Sequence, residues 1–291
     1  MLITPIDIAF VLVGLAITVG ALARRRVVPP AEPSPPASRG ELVLTVLAMI
    51  PGAVGPNVLV VVLTPGMPGM PDLVRWALLP SIVPLLVAWG LAAMGGYGRL
   101  TNRIWTGLWV GAATTAALDA FRLTSFSLGL LPGNLPRMFG VLILDTMAQG
   151  PTPLSDVVGA LYHYWVSACF GLTYTLICGR TRWWGGLIWG LIIEVGMMTT
   201  PPMVIAMGTG YFGMKPGHGI LNGVFLGSLV PHIAYGIALG LLLERYTRHA
   251  GSVLTLIRTS LRRSGTTSGR GQEGTPAVRA PSTTCCGVVE D

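Results

Sequence analysis

The chain has 291 residues, of which 52% are hydrophobic and only 11% are charged. A soluble domain carries roughly a quarter of its residues as charged side chains, so this composition excludes a soluble globular enzyme and a disordered chain. It indicates an all-α integral membrane protein with the lipid bilayer as its surroundings. The net charge of +7 would suggest a nucleic-acid partner in a soluble protein. Here the arginines flank apolar segments, which is typical of the positive-inside bias of membrane proteins, and we expect no nucleic-acid partner.

Seven apolar segments are each about 18–24 residues long, enough for a helix to cross a hydrocarbon core of roughly 30 Å. An eighth segment, 138–149, is shorter and contains Asp145, so it is predicted to form a short re-entrant or interfacial helix. The seven predicted transmembrane spans are 6–23, 42–64, 76–96, 104–121, 158–178, 183–206 and 220–243.

The distribution of Arg and Lys predicts the orientation of these spans. With seven spans and the N-terminus outside, 15 of the 19 basic residues lie on the inner side; if 138–149 crossed as well, nine of these 15 would move to the outer side. The positive-inside rule therefore favours an outer N-terminus, a cytoplasmic C-terminus and an outer region 122–157. We expect a multi-pass protein of the bacterial plasma membrane, which is the inner membrane.

Three regions outside the predicted transmembrane body, 41–249, have compositions of their own. Residues 1–23 form the first span, and the Pro-rich segment 24–40 is predicted to be an extended cytoplasmic linker. The Ser-, Gly- and Arg-rich segment 264–291, which contains Cys285 and Cys286, is predicted to be a disordered cytoplasmic tail.

Segment 250–263 has the pattern of an amphipathic helix. Its apolar residues share one helical face, whereas Arg258 and Arg262 lie on the other. Such a helix binds the surface of a bilayer and is attracted to anionic lipid, although a merely frayed helix end would have the same pattern. The residues on the apolar face are Val253, Leu254, Ile257 and Leu261.

Three Gly-xxx-Gly pairs place small residues one helical turn apart. Such pairs allow the backbones of two membrane helices to approach closely. We expect them to pack helices within the chain, and a homo- or hetero-oligomer contact is the alternative. The pairs are Gly186 with Gly190, Gly223 with Gly227, and Gly236 with Gly240.

Glu194 and His232 are the polar residues predicted to lie deepest in the membrane. Each lies 11 or 12 residues into its span, near the midplane, and the two spans are consecutive and antiparallel. We therefore predict a direct contact between their side chains. A buried carboxylate beside an imidazole can exchange a proton or bind an ion, but it can also be a structural hydrogen bond between helices.

A second set of polar residues is predicted nearer the outer face. Asp119 and Arg122 are three residues apart on one helical face and can form an ion pair. His163 lies in an aromatic YHYW sequence typical of the membrane interface. With Asp145, these side chains are candidates for a binding site, and structural roles at the interface are the alternative.

Methionines near the outer face allow a weak metal-site hypothesis. Met203 and Met207 share a helical face, and His163 and His218 are predicted on the same side. Thioether and imidazole ligands suit a soft ion such as Cu(I), so copper or haem is a conceivable cofactor. Methionine is also an ordinary packing residue, and no cofactor is established by the sequence.

Four sequences in the second half follow a recognisable order. They are GALYHYWVSACFGLTY (159–174), RWWGGLIWGL (182–191), EVGMMTTPPM (194–203) and PHIAYGIALG (231–240). Over roughly 160–243 the chain resembles small bacterial inner-membrane proteins of the YagU-like kind. The resemblance implies a membrane location and no established activity.

Three functional hypotheses follow from these residues. The first is a non-enzymatic membrane protein that handles or transports a small solute or ion, with possible proton coupling, at a polar site formed by Glu194, His232 and His163. The second is an assembly or partner subunit of a larger membrane complex, in which the buried polar residues only join helices. The third is an intramembrane enzyme that uses the polar residues near the outer face, although no known catalytic spacing supports it.

Overall fold

The computed structural model describes residues 3–24, 35–215 and 219–267, and the regular elements in these ranges are helical, as predicted. The π-helical turn Val74–Leu78 joins the helices Met70–Leu73 and Leu79–Met94, so that Met70–Met94 is one continuous helix. The helices of the described residues are α1 (Pro5–Ala23), α2 (Arg39–Val62), α3 (Met70–Leu73), α4 (Leu79–Met94), α5 (Gly98–Ser127), α6 (Leu135–Ile143), α7 (Pro153–Cys178), α8 (Trp183–Thr199), α9 (Pro201–Met207), α10 (Gly223–Tyr246) and α11 (Val253–Thr267).

Four helices in the described part of the chain are both long and apolar enough to cross a membrane. They are α1, α2, the continuous helix Met70–Met94, and α10. The predicted number of about seven spans is therefore not supported by length and apolarity alone. Helix α8 has only 17 residues, and α5 is less apolar because it carries four charged residues: Arg99, Arg103, Asp119 and Arg122.

Helices α5 and α7 form the centre of the molecule. Helices α1 and α10 pack on α5, α8 packs on α10, α2 packs on α7, and α4 packs on α2. Glycines bring the two central helices together, since a Cβ on Gly111 would overlap the carbonyl of Ser167 and one on Gly171 would overlap the carbonyl of Gly107. This close contact positions the polar residues of both helices against each other.

The Gly-xxx-Gly pairs pack helices within the chain, as predicted. Gly186 and Gly190 of α8 face Gly236 and Gly240 of α10, and a Cβ at any of these positions would approach the backbone of the other helix. The remaining pair, Gly223 and Gly227, faces the side chain of Leu130. The faces of Gly186, Gly190, Gly236 and Gly240 are therefore filled from within the chain, whereas Gly223 is exposed.

The predicted span 183–206 is two helices rather than one. Helix α8 ends at Thr199, and α9 begins at Pro201 after an extended Thr200 with ψ of 116°. A residue that precedes proline is disfavoured in the helical region, because the proline ring clashes with its backbone. The Pro201–Pro202 pair therefore separates α9 and its two methionines from the rest of the predicted span.

Segment 138–149 does not form one helix. Its apolar beginning belongs to the nine-residue helix α6, which packs against α7 and is too short to cross a bilayer. Asp145 follows in a turn, with a positive φ of 53° and an exposed side chain. Asp145 therefore lies apart from the buried polar residues, because the helix ends before it.

The predicted linker and C-terminal segments differ from expectation at their edges. Helix α2 begins at Arg39, inside the predicted linker, and Ala37 is buried and accepts a hydrogen bond from Ser260 of α11. Residues 25–34 lie outside the described residues. Helix α11 is present as predicted but continues to Thr267, and the rest of the predicted tail, with both of its cysteines, lies outside the described residues.

Candidate functional site

A cavity of about 510 Å³ opens between α2 on one side and α8, α9 and α10 on the other. Helix α7 contributes lining residues that include Val166, Phe170 and Thr173. The volume lies within the range of roughly 300–1,000 Å³ that is typical of small-molecule sites. Most of its lining is apolar or aromatic, and the titratable side chains that line it are Arg122, His163, His232, Tyr162 and Tyr235.

The predicted contact between Glu194 and His232 is present at the wall of this cavity. His232 Nδ1 lies 2.8 Å from Glu194 Oε2, and the Ser228 hydroxyl donates a hydrogen bond to the same oxygen, also at 2.8 Å. His232 and Ser228 line the cavity, whereas Glu194 lies behind them and is only 1% exposed. Helices α8 and α10 approach closely through their glycines, and this approach brings the carboxylate within reach of the imidazole.

Each side chain of this pair has one atom that is not used by the contact. Glu194 Oε1 is buried without a hydrogen-bond partner among the described residues. His232 Nε2 also has no such partner in the described part of the chain, and His232 itself borders the cavity. A carboxylate that orients one ring nitrogen of a histidine leaves the other nitrogen in a defined direction, available to a ligand.

A second polar group lies beside the cavity, on α5 and α7. Arg122 Nε donates to Asp119 Oδ1 at 3.0 Å, and His163 Nε2 lies 3.0 Å from the same oxygen. Asp119 and Arg122 are both buried, so their ion pair lies inside the protein and not at the predicted interface with water. Arg122 and His163 line the cavity, whereas Asp145 makes no contact with this group.

This second polar group, around Asp119, extends to residues that the sequence analysis did not identify. Arg122 Nη1 donates to Asn134 Oδ1 at 3.4 Å, and Asn134 Nδ2 donates to Asp7 Oδ2 at 3.0 Å. Asn134 is completely buried and lies in an irregular loop, where no periodic pattern marks it. Ser228 was also missed, although its position four residues before His232 on one helix is a usable signal.

The predicted metal site is only partly assembled. Met203 and Met207 of α9 line the cavity, and so do His163, Met197 and Met198. His218 lies outside the described residues. Within the described ranges, no group of three or more His, Cys, Asp or Glu side chains is placed to hold a metal ion.

Comparison with known proteins finds no family model that matches the chain, no similar curated protein and no similar solved structure. The resemblance to YagU-like membrane proteins therefore stays a prediction. The candidate site rests on the geometry of the cavity and on the two carboxylate–histidine contacts beside it.

Proposed function

We propose that this chain is a non-enzymatic membrane protein of the YagU-like kind that binds, and in doing so handles, a small and mainly apolar solute. The observation that carries the proposal is the cavity of about 510 Å³, apolar over most of its lining, with His232 on its wall. Such a lining favours an apolar molecule with few polar groups, because burying it removes apolar surface from water or headgroups. A bare ion would find few ligands there.

We also propose that seven helices cross the bilayer: α1, α2, α4 with its preceding turns, α5, α7, α8 and α10. Contacts support this arrangement at both ends, since Asn134 binds Asp7 at one end and Tyr246 donates to the carbonyl of Ala21 at the other. The second end carries most of the basic residues, as an inner face requires. The outer N-terminus and the bacterial inner membrane belong to the same proposal.

The polarity of α5 does not oppose a transmembrane position. Helices α1, α7 and α10 pack against α5, and the large side chains that it leaves exposed, Trp105 and Phe121, are apolar. All four of its charged residues are buried. Arg99 is paired with Glu41, and Arg103 donates to the carbonyl of Gly251 at 2.6 Å, so each arginine has partners inside the protein.

Helix α11 supports a peripheral contact with anionic lipid. Leu256 is buried against the body, whereas Leu254, Ile257 and Leu261 of the predicted apolar face are exposed. Arg258 is exposed on the same helix. An exposed apolar stripe with adjacent arginine is suited to the inner surface of a negatively charged bilayer.

The proposed binding can be tested by filling the cavity. Gly196 of α8 lines the cavity, and a Cβ there would meet nothing within 4 Å, so Gly196→Phe places a ring in the empty space. Gly90→Phe on α4 is the matched control, because Gly90 is equally open but does not line the cavity. The three proteins are purified, and bound molecules are extracted and identified by mass spectrometry.

We expect a small apolar compound to copurify with the wild-type protein and the control, and to fall about tenfold in Gly196→Phe, since overpacking a site commonly costs more than one order of magnitude in binding. Equal recovery of every compound from all three proteins would contradict the proposal. That result would favour the alternative of an assembly or partner subunit, whose buried polar residues only join helices.

A further inference from the structure

The charges beside the cavity indicate the chemical class of the ligand. Arg122 is paired with Asp119, and His232 is paired with Glu194. A carboxylate or phosphate ligand would therefore add an uncompensated negative charge to a buried and mainly apolar site, which is costly. A neutral ligand needs no counter-ion, so the balance of charges favours a neutral molecule.

The geometry of His232 shows what such a molecule can bind. Its Nδ1 atom lies 2.9 Å from the carbonyl oxygen of Ser228, which can only accept, and 2.8 Å from Glu194 Oε2. Nδ1 must therefore carry a hydrogen. The pair has no net charge in two forms. When Glu194 is ionised and His232 is cationic, Nε2 is a donor; when Glu194 holds the proton, Nε2 is an acceptor.

We propose that the cavity binds a neutral, membrane-soluble carbonyl compound of the quinone type, with one carbonyl oxygen accepting a hydrogen bond from His232 Nε2. This inference rests on the proposed function and names the class of its ligand. The donor form of Nε2 suits the carbonyl of a quinone, and the acceptor form suits the hydroxyl of the corresponding hydroquinone. Binding in either form requires no charge on the ligand.

The rest of the wall fits a flat ring with an apolar substituent. Phe170, Tyr162 and Trp189 line the cavity and offer aromatic faces or edges to a ring. His163 lies on the same wall, on α7, and adds a second polar group for a molecule with two carbonyls. The apolar remainder of the lining accommodates a hydrocarbon chain.

Two probes separate this inference from the proposed function. Decylbenzoquinone carries the carbonyl groups, whereas 1-bromodecane has an apolar chain of the same length and none, and both quench tryptophan fluorescence. The full chain is placed in lipid nanodiscs, and each probe is titrated as a mole fraction of lipid. Trp189 lines the cavity. The difference in fluorescence quenching between the wild-type protein and Trp189→Phe therefore measures occupancy of the cavity.

We expect the wild-type protein to bind decylbenzoquinone about tenfold more tightly than 1-bromodecane, the effect of one hydrogen bond with a charged group. His232→Leu removes this preference but leaves binding of 1-bromodecane within about twofold of wild type, because the leucine keeps the wall apolar. Glu194→Gln, which can still hydrogen-bond the imidazole, removes the preference as well, since the negative charge that balances the donor form of the pair is gone. Gly90→Phe behaves as wild type.

Equal affinities for the two probes, with 1-bromodecane binding abolished by Gly196→Phe, would overturn the quinone-type ligand and leave the proposed function standing. Failure of both probes to quench Trp189 would overturn both. A quinone preference that survived in both His232→Leu and Glu194→Gln would overturn the assignment of His232 as the group that recognises the carbonyl.

Discussion

Arg99 at the start of α5 holds the Glu41 carboxylate of α2 with two hydrogen bonds, from Nε to Oε1 at 2.9 Å and from Nη2 to Oε2 at 2.6 Å. Both side chains are buried. Arg99 also donates to the carbonyl oxygen of Pro35 at 2.5 Å, so it joins α2, α5 and the segment before α2. This two-point contact orients the first turn of α2.

Glu41→Leu is expected to lower the free energy of unfolding by about 3–5 kcal/mol, because it leaves the Arg99 guanidinium buried without its counter-ion. The double variant Glu41→Leu with Arg99→Met should recover most of this loss, since no unpaired charge remains. Thermal or denaturant unfolding of the purified proteins in detergent measures both. A double variant less stable than Glu41→Leu alone would contradict the argument.

The contact between α8 and α10 predicts a strong effect of a single methyl group. Gly240→Ala places a Cβ against the carbonyl of Trp183, so the helices must separate, and we expect a loss of about 1–3 kcal/mol of unfolding free energy. Gly90→Ala, where a Cβ meets nothing within 4 Å, is the matched control and should be neutral or slightly stabilising. Equal changes in unfolding free energy at the two positions would show that helix propensity causes them, and not the contact between α8 and α10.

The Glu194–His232 pair predicts different results for two replacements of the acid. Glu194→Gln should change stability little, because an amide can hydrogen-bond both the imidazole and the Ser228 hydroxyl. Glu194→Leu should cost on the order of 1–2 kcal/mol, the scale of interhelical hydrogen bonds in membranes, because both donors lose their acceptor. Unfolding of the two variants by denaturant in detergent gives the comparison, and a Leu variant as stable as the Gln variant would count against a stabilising pair.

The proposed orientation predicts the accessibility of a cysteine in the loop between α6 and α7. Gln149 is exposed, so Gln149→Cys should react in intact cells with an impermeant thiol reagent. Arg248, which follows α10, is also exposed, and Arg248→Cys should react only after lysis. Both cysteines are introduced into a chain whose four native cysteines have been replaced. The reverse pattern would invert the proposed topology.

Sequence patterns predicted part of the candidate site correctly. Glu194 and His232 lie at similar positions in consecutive antiparallel apolar segments, so their contact follows from position along the chain and helix geometry alone. The glycine pairs also predicted close helix contacts, because glycines one helical turn apart share one face of a helix. The pairing of His163 with Asp119 could not be predicted, because it depends on how α5 and α7 are rotated about their own axes.

Hydropathy, charge and glycine spacing in the sequence by themselves determined the helical class, the approximate position of each long helix and the contact between Glu194 and His232. Only the tertiary structure decided that Asp145 lies in an exposed turn, that the charged residues of α5 are buried, and that a cavity borders His232. The physical reason is that local patterns record how each helix is divided between apolar and polar faces. Which residues of different helices meet, and where they leave space, depends on the simultaneous packing of all of them.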